Sequence, residues 1–224
     1  MSNLLKYGFV VMFLGLSFSA HSASFDCSKA TQKVERMICS DIQLSTLDSD
    51  LYDAYSSAKM ATGNSKAFKE NGRMAINWRN QNCATPKCIK EWYQTREDEL
   101  LRIAATGFVP PSDCVVSDSH VSVKGRISRK VFPGPPNYTD ISEGDKPLAY
   151  WILKTEKPLC SYSSEMLPNY LKRISPQNEF QLVISDYEKY RNKLGRLVTV
   201  NGVPYPSHTG YHQTRLLITV TNIK

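Results

Sequence analysis

Six cysteines, Cys27, Cys39, Cys83, Cys88, Cys114 and Cys160, are the residues of this sequence whose chemistry depends most on their surroundings. Such a set can run redox chemistry, ligate a metal or form disulfides. No CxxC occurs and no histidine falls between Cys27 and Cys88, which argues against a metal or a thiol couple. His208 and His212, in "SHTGYHQT", are the next candidates. Two histidines without a carboxylate in the same loop make a poor metal site, and turn histidines between strands more often hydrogen-bond locally. Ser207 adjoins His208, but no Gly-x-Ser-x-Gly elbow occurs, and there is no P-loop or dinucleotide fingerprint. The sequence therefore points to no enzyme chemistry and to no cofactor.

The first residues decide what the cysteines do. Lys6, an apolar run from Tyr7 to Phe18 and then small residues form a secretory signal peptide over 1–22, with cleavage expected after Ser22 or after Ala23. The apolar run is short for a membrane span, and no second one follows. A periplasmic or secreted chain is expected, with no membrane span after cleavage. In an oxidising compartment six cysteines read as three disulfides, for which 15 pairings exist.

The elements that carry these residues fall into two kinds. Ala30, Val34, Met37 and Ile38 form a helical stripe over 28–38. Leu44, Leu47, Leu51, Tyr55 and Ala58 mark a second helix, capped by Ser40 or Asp41. A third is expected over about 66–82 and a fourth over about 87–105, stopped by Gly107. Cys27 and Cys39 would then lie roughly 18 Å apart along one helix, beyond the reach of about 7 Å between Cα atoms. The nested pairing Cys27–Cys88 with Cys39–Cys83 is the first expectation, and the crossed alternative Cys27–Cys83 with Cys39–Cys88 stays open. A helical unit over 23–107 is small enough to need such staples.

After a linker over 108–113 the period changes to alternation. Strands are expected at 121–131, 148–156, 179–185, 196–203 and 214–223, with a short helical excursion over 164–174 and a helix between the third and fourth strands. Ser185 with Glu188 reads as that helix's capping box and Gly195 as its stop. Strand, long loop, strand, strand, helix, strand, strand is the order of a five-stranded oligonucleotide/oligosaccharide-binding (OB) barrel. An open sheet packed on one helix is the competing architecture. The fold class is thus α+β, a disulfide-stapled helical bundle followed by an OB-like barrel over 114–224. Cys114 and Cys160 would tie the incoming linker to the end of the second strand.

This topology selects a candidate ligand face. In OB folds the loops after strand one and between the last two strands flank the ligand. Here they bring together Tyr138, Tyr205, His208, Tyr211 and His212, with Arg129 and Lys130 on the nearby strand. The net charge is +7, and residues 108–224 hold 15 Lys and Arg against 10 Asp and Glu. Aromatic and basic groups on one rim suit peptidoglycan or another glycan, or an anionic polymer. Export makes nucleic acid a poor partner.

Part of the sequence resembles a known family. Cys27 with Ala30, Glu35 to Cys39, Leu44, Leu47-Asp48, Leu51 and Tyr55, then Trp78-Arg79, Cys83, Cys88, Tyr93, Arg96 and Leu100, resemble the N-terminal domain of LprI-type lysozyme inhibitors over residues 25 to about 103. The resemblance implies an envelope protein that binds and inhibits lysozyme. An inhibitor need only block the cleft that holds the enzyme's two carboxyl groups. "CATPKC", with Thr85 and Lys87, is the candidate inhibitory loop, beside the "TGNSK" turn. "GRISRKVFPGPPNY", "YWILKTEKPLC", "LGRLVTVNG" and "HTGYHQT" look like an uncharacterised module of bacterial secreted proteins.

Overall fold

The computed structural model describes residues 23–164 and 170–224. The signal peptide expected over 1–22 lies outside the described residues. No described helix is long and apolar enough to cross a membrane.

Four helices come first: α1 (Lys33–Ser40), α2 (Ile42–Ala61), α3 (Lys66–Asn82) and α4 (Pro86–Thr106). Each boundary has a local cause. Asp41 accepts from the N–H groups of Gln43 and Leu44, and Ser65 from that of Phe68. Pro86 occupies the first turn of α4, and Gly107 ends it at φ 66°, a left-handed conformation that favours glycine. Val34, Ile38, Leu44, Trp78, Ile89, Trp92 and Tyr93 form one core, and Ala54, Ala58, Phe68, Leu100 and Ile103 a second. Two polar networks are buried among them. Asp48 accepts from the Tyr93 hydroxyl at 2.6 Å and from Ser24, while Arg96 bridges Asn71 and Glu99 at 2.7 and 2.6 Å.

The expected pairing of the first four cysteines is overturned. Cys27 bonds Cys39, and Cys83 bonds Cys88. The 18 Å estimate fails because residues 27–39 are not one helix. Cys27–Lys29 form a single 3-10 turn, Ala30 is extended, and α1 begins only at Lys33. Glu35 reaches back to the backbone N–H groups of Thr31 and Gln32, closing a capping box that ends the extended stretch. The chain folds back at Ala30–Gln32, and the Cα atoms of Cys27 and Cys39 stand 5.8 Å apart.

The second half is a closed barrel. Its strands are β1 (Val115–Val116), β2 (Val121–Pro133), β3 (Pro147–Ser164), β4 (Leu171–Val183), β5 (Leu197–Pro206) and β6 (Leu216–Ile223). The order β3-β2-β5-β6-β4 closes through β3–β4, all antiparallel except β4–β6. This is the OB connectivity, and closure removes the edges that the competing open sheet would have left. Val123, Ile127, Leu153, Phe180, Leu182, Val200, Leu216 and Ile218 fill the interior. The short β1 runs parallel to β3, and Cys114 before it bonds Cys160 on β3, as expected from the sequence.

Two expectations for this half change. No helical excursion spans 164–174: β3 runs to Ser164 and β4 starts at Leu171, while 165–169 lie outside the described residues. Between β4 and β5 stands a 3-10 segment, Glu188–Lys193, with Asp186 rather than Ser185 accepting from the Lys189 N–H at its start. The halves meet where Trp78 donates to the Val121 carbonyl at 3.1 Å and stacks on His120 at 4.0 Å.

Candidate functional site

A strand shows alternate side chains to alternate faces. On β2, Val123 and Ile127 point into the barrel, so Arg126, Ser128, Lys130 and Phe132 point out. Register places Lys130 opposite Tyr150 and Arg126 opposite Lys154 on β3, and Lys154 opposite Glu179 on β4. The outer face of β2, β3 and β4 therefore carries Phe132, Tyr150, Lys130, Lys154 and Glu179. Glu179 accepts from Lys130 at 2.6 Å and lies 3.9 Å from Lys154. One carboxylate shared by two lysines leaves this strip basic. Arg129 is paired in register with the core residue Trp151 and points away from this face. It does not join the site, because adjacent strand residues cannot share a face.

Two loops close one end of the strip. The β2–β3 loop is folded around Asp145, whose buried carboxylate accepts from the N–H groups of Asn137, Thr139 and Asp140 at 2.8, 2.7 and 3.0 Å. Burial pushes this carboxyl up, but the three N–H donors outweigh it, so it stays below the usual range. The β5–β6 loop is fastened to β4 by Gln181. That side chain is 4% exposed, donates to the Tyr211 carbonyl and accepts from the Gln213 N–H.

So fixed, the loops bring Tyr138 and Tyr211 together. Their rings meet edge to face with centroids 5.5 Å apart, an arrangement worth about 1 kcal/mol beyond burial. Gly210 permits the approach, since a Cβ there would lie 3.1 Å from the Tyr138 ring. Contact with Tyr211, ahead of burial, holds the Tyr138 hydroxyl up to about 12. Burial, ahead of the field of Tyr211, raises that of Tyr150. Both remain protonated donors near neutral pH.

Tyr205, near the end of β5, forms a separate cluster with His208 and His212 of the β5–β6 loop. The His rings are perpendicular at 4.5 Å, and Tyr205 stands 6.0 and 5.7 Å from them. His212 Nδ1 accepts from the His208 N–H at 3.1 Å, and His208 Nδ1 lies 3.2 Å from the Pro206 carbonyl. These contacts fold the turn. Burial, then the His208 ring, lower the His212 pKa. Among the described residues no group of three or more His, Cys, Asp or Glu is placed to hold a metal.

Sequence reasoning found the loops but missed Tyr150, Phe132, Glu179 and Gln181. Tyr150 and Phe132 were legible in principle, as the outward positions of alternating strands. Gln181 was not, because nothing local marks a strand glutamine as a loop anchor.

The other candidate lies in the helical half. The Cys83–Cys88 bond closes "CATPKC" into a small ring whose residues Ala84 to Lys87 are all exposed. Thr85 caps α4 by accepting from the Cys88 N–H at 3.3 Å, and Lys87 projects beside Glu91 at 3.9 Å. A cleft of about 730 Å³ separates α3 from residues 110–124, with Glu70, Asn71, Met74, Trp78 and His120 in its walls. Neither Thr85 and Lys87 nor Lys130, Tyr138, Tyr150 and Tyr211 line it.

Residues 179–224 match a family described as a domain of unknown function (DUF4431). That span runs from Glu179 to the end of β6 and contains Gln181, Tyr205, His208, Tyr211 and His212, but not Tyr138 or Tyr150. A search of curated proteins returns no match.

Proposed function

We propose that this is an exported, non-catalytic binding protein of the bacterial envelope whose barrel takes a glycan. The observation that supports it is the meeting of Tyr138 and Tyr211, from two different loops, at the end of the Tyr150–Lys130–Lys154 strip. Aromatic rings stack on sugar faces, phenol hydroxyls and lysines hydrogen-bond sugar oxygens, and loops held by Asp145 and Gln181 lose little entropy on binding. Co-sedimentation with insoluble cell wall tests it. The full-length mature chain should pellet, and Tyr150→Ala with Tyr211→Ala should leave it in the supernatant. Equal pelleting of both proteins would remove this reading.

A second reading, lysozyme inhibition by the helical half, is supported by the disulfide-closed Ala84–Lys87 turn. A rigid exposed loop of this kind is preorganised for insertion into a cleft. Lys87 is its cation, suited to a cleft lined by carboxylates. The two readings combine naturally: a barrel bound to wall glycan would hold the inhibitor where lysozyme attacks. The test is lysis of a cell-wall suspension by c-, g- and i-type lysozymes with increasing protein. Slower lysis by at least one enzyme, relieved by Lys87→Glu, is expected; unchanged lysis with all three at micromolar protein excludes it.

A further inference from the structure

Arg102, on α4, is 3% exposed. Its Nη2 donates to Ser119 Oγ at 3.3 Å, its Nε has no partner, and it forms no ion pair among the described residues. Three carboxylates lie in its field without touching it. Glu99 is committed to Arg96 and Asn71, and Asp118 accepts from Ser164, while Asp98 is exposed on α4. Burial, against the pull of these acids, holds the guanidinium below its ordinary pKa. A buried guanidinium without a bonded counter-ion costs several kcal/mol, so its place in the molecule needs a reason.

The reason is offered by what Arg102 faces. It lines a pocket of about 330 Å³ at the junction of the two halves, with Thr106, Phe108, Tyr162, Tyr170 and Leu171. The Thr106 hydroxyl donates to the Arg102 carbonyl and accepts from the Phe108 N–H, which fixes the corner that presents Phe108. Phe108 and Tyr162 rings stand 5.5 Å apart, and Tyr170, 60% exposed, forms the outer wall. We propose that this pocket binds a monoanionic carboxylate carried on an apolar or aromatic body, with the carboxylate on Arg102 and the body between Phe108, Tyr162, Tyr170 and Leu171. A guanidinium edge matches a carboxylate in the plane. A single guanidinium supplies one positive charge, which matches a monoanion and leaves a phosphate dianion half-compensated. The volume suits a single ring or an apolar side chain. This site is independent of the barrel face and of the disulfide-closed turn.

Two sources present the same chemistry: a small free acid, and the C-terminal carboxylate of a peptide ending in an apolar residue. The experiment is a titration of the full-length mature chain followed by backbone amide NMR. The probes are phenylacetate and its neutral isostere phenylacetamide, then acetyl-Ala-Phe and its C-terminal amide. The acids should shift the amides of Phe108, Tyr162 and Leu171, and each acid should bind about tenfold or more tightly than its amide. Tighter binding of the peptide acid identifies a peptide terminus as the source, and tighter binding of phenylacetate a small acid. Arg102→Met should abolish the acid–amide difference, and Tyr170→Ala should weaken both acids. If Arg102→Met does not fold, the acid–amide comparison and Tyr170→Ala carry the test. Equal affinity of acids and amides, shifts elsewhere, no shift at millimolar acid, or acid binding untouched by Tyr170→Ala would overturn the proposal.

Discussion

The helical half is tied by covalent bonds between near neighbours, at separations of 12 and 5 residues, whereas the barrel's disulfide spans 46. The polar chemistry of the two halves differs in the same sense. Arg96 and Glu99 pair out of solvent within one helix, while Lys130 and Glu179 pair half-exposed across the sheet. Local staples and buried ions let a helical half of about 80 residues hold together with two small cores. The closed sheet meets that need by connectivity, which leaves its outer face free to carry polar and aromatic groups. The candidate ligand strip therefore falls on the barrel, and the helical half offers rigid turns.

That contrast can be broken by mutation. Removing Glu99 leaves Arg96 buried without its counter-charge, with only the Asn71 carbonyl to accept from it, and Glu99→Ala should cost about 4 kcal/mol in urea denaturation. Glu179→Ala, at the exposed pair, should cost under about 1 kcal/mol. Similar costs would erase the distinction. The disulfides should rank by loop length. Replacing both cysteines by serine should cost about 4 kcal/mol for Cys114–Cys160, about 3 for Cys27–Cys39 and about 2 for Cys83–Cys88. The reverse order would show that the helical staples do more than restrain the unfolded chain.

The junction supplies a pH-dependent prediction. His120 stacks on Trp78, and burial, against a smaller pull from Glu99, lowers its pKa to about 4. A His with a depressed folded pKa binds its proton more readily when unfolded. Stability should therefore fall as pH drops from about 6.5 to about 4, by at most about 3 kcal/mol. His120→Gln should flatten this part of the pH profile, and an unchanged slope would assign it to other groups. The smallest effect is on the loops. Tyr211→Ala should lower stability by about 1 kcal/mol through loss of the Tyr138 pair, with far-UV circular dichroism unchanged. A loss several times larger would mean that the pair is core and not surface.

How far the sequence could be read follows from the same contrast. The barrel was legible because its strands alternate and its two long loops are rich in Pro, Gly and polar residues, so the order of elements implied which loops converge. The lengths of β3 and β4 were hidden. Pro158 reads as a strand end, yet β3 continues past it, with its register to β4 shifting between Lys154 and Leu159. In the helical half the four helices were plain, but their bonding was not. Ala30 and Thr31 break the helix without glycine or proline, and the break erases the distance that argued against Cys27–Cys39. Gln32 with Glu35 was the available signal, a capping box in mid-segment. Arg102 carried no signal, since an arginine in an amphipathic helix reads as solvated until its neighbours are known.

The claim that the barrel face binds glycan is tested most directly by titrating the chain from residue 23 to 224 with a neutral N-acetylglucosamine oligomer. Such an oligomer has no carboxylate and so does not engage the Arg102 pocket. Amide and aromatic NMR signals should shift at Tyr138, Tyr150, Tyr211 and Lys130, and Tyr150→Ala with Tyr211→Ala should abolish the shifts. Signals that stay fixed on this face at millimolar oligomer, or that move only in the helical half, would contradict it.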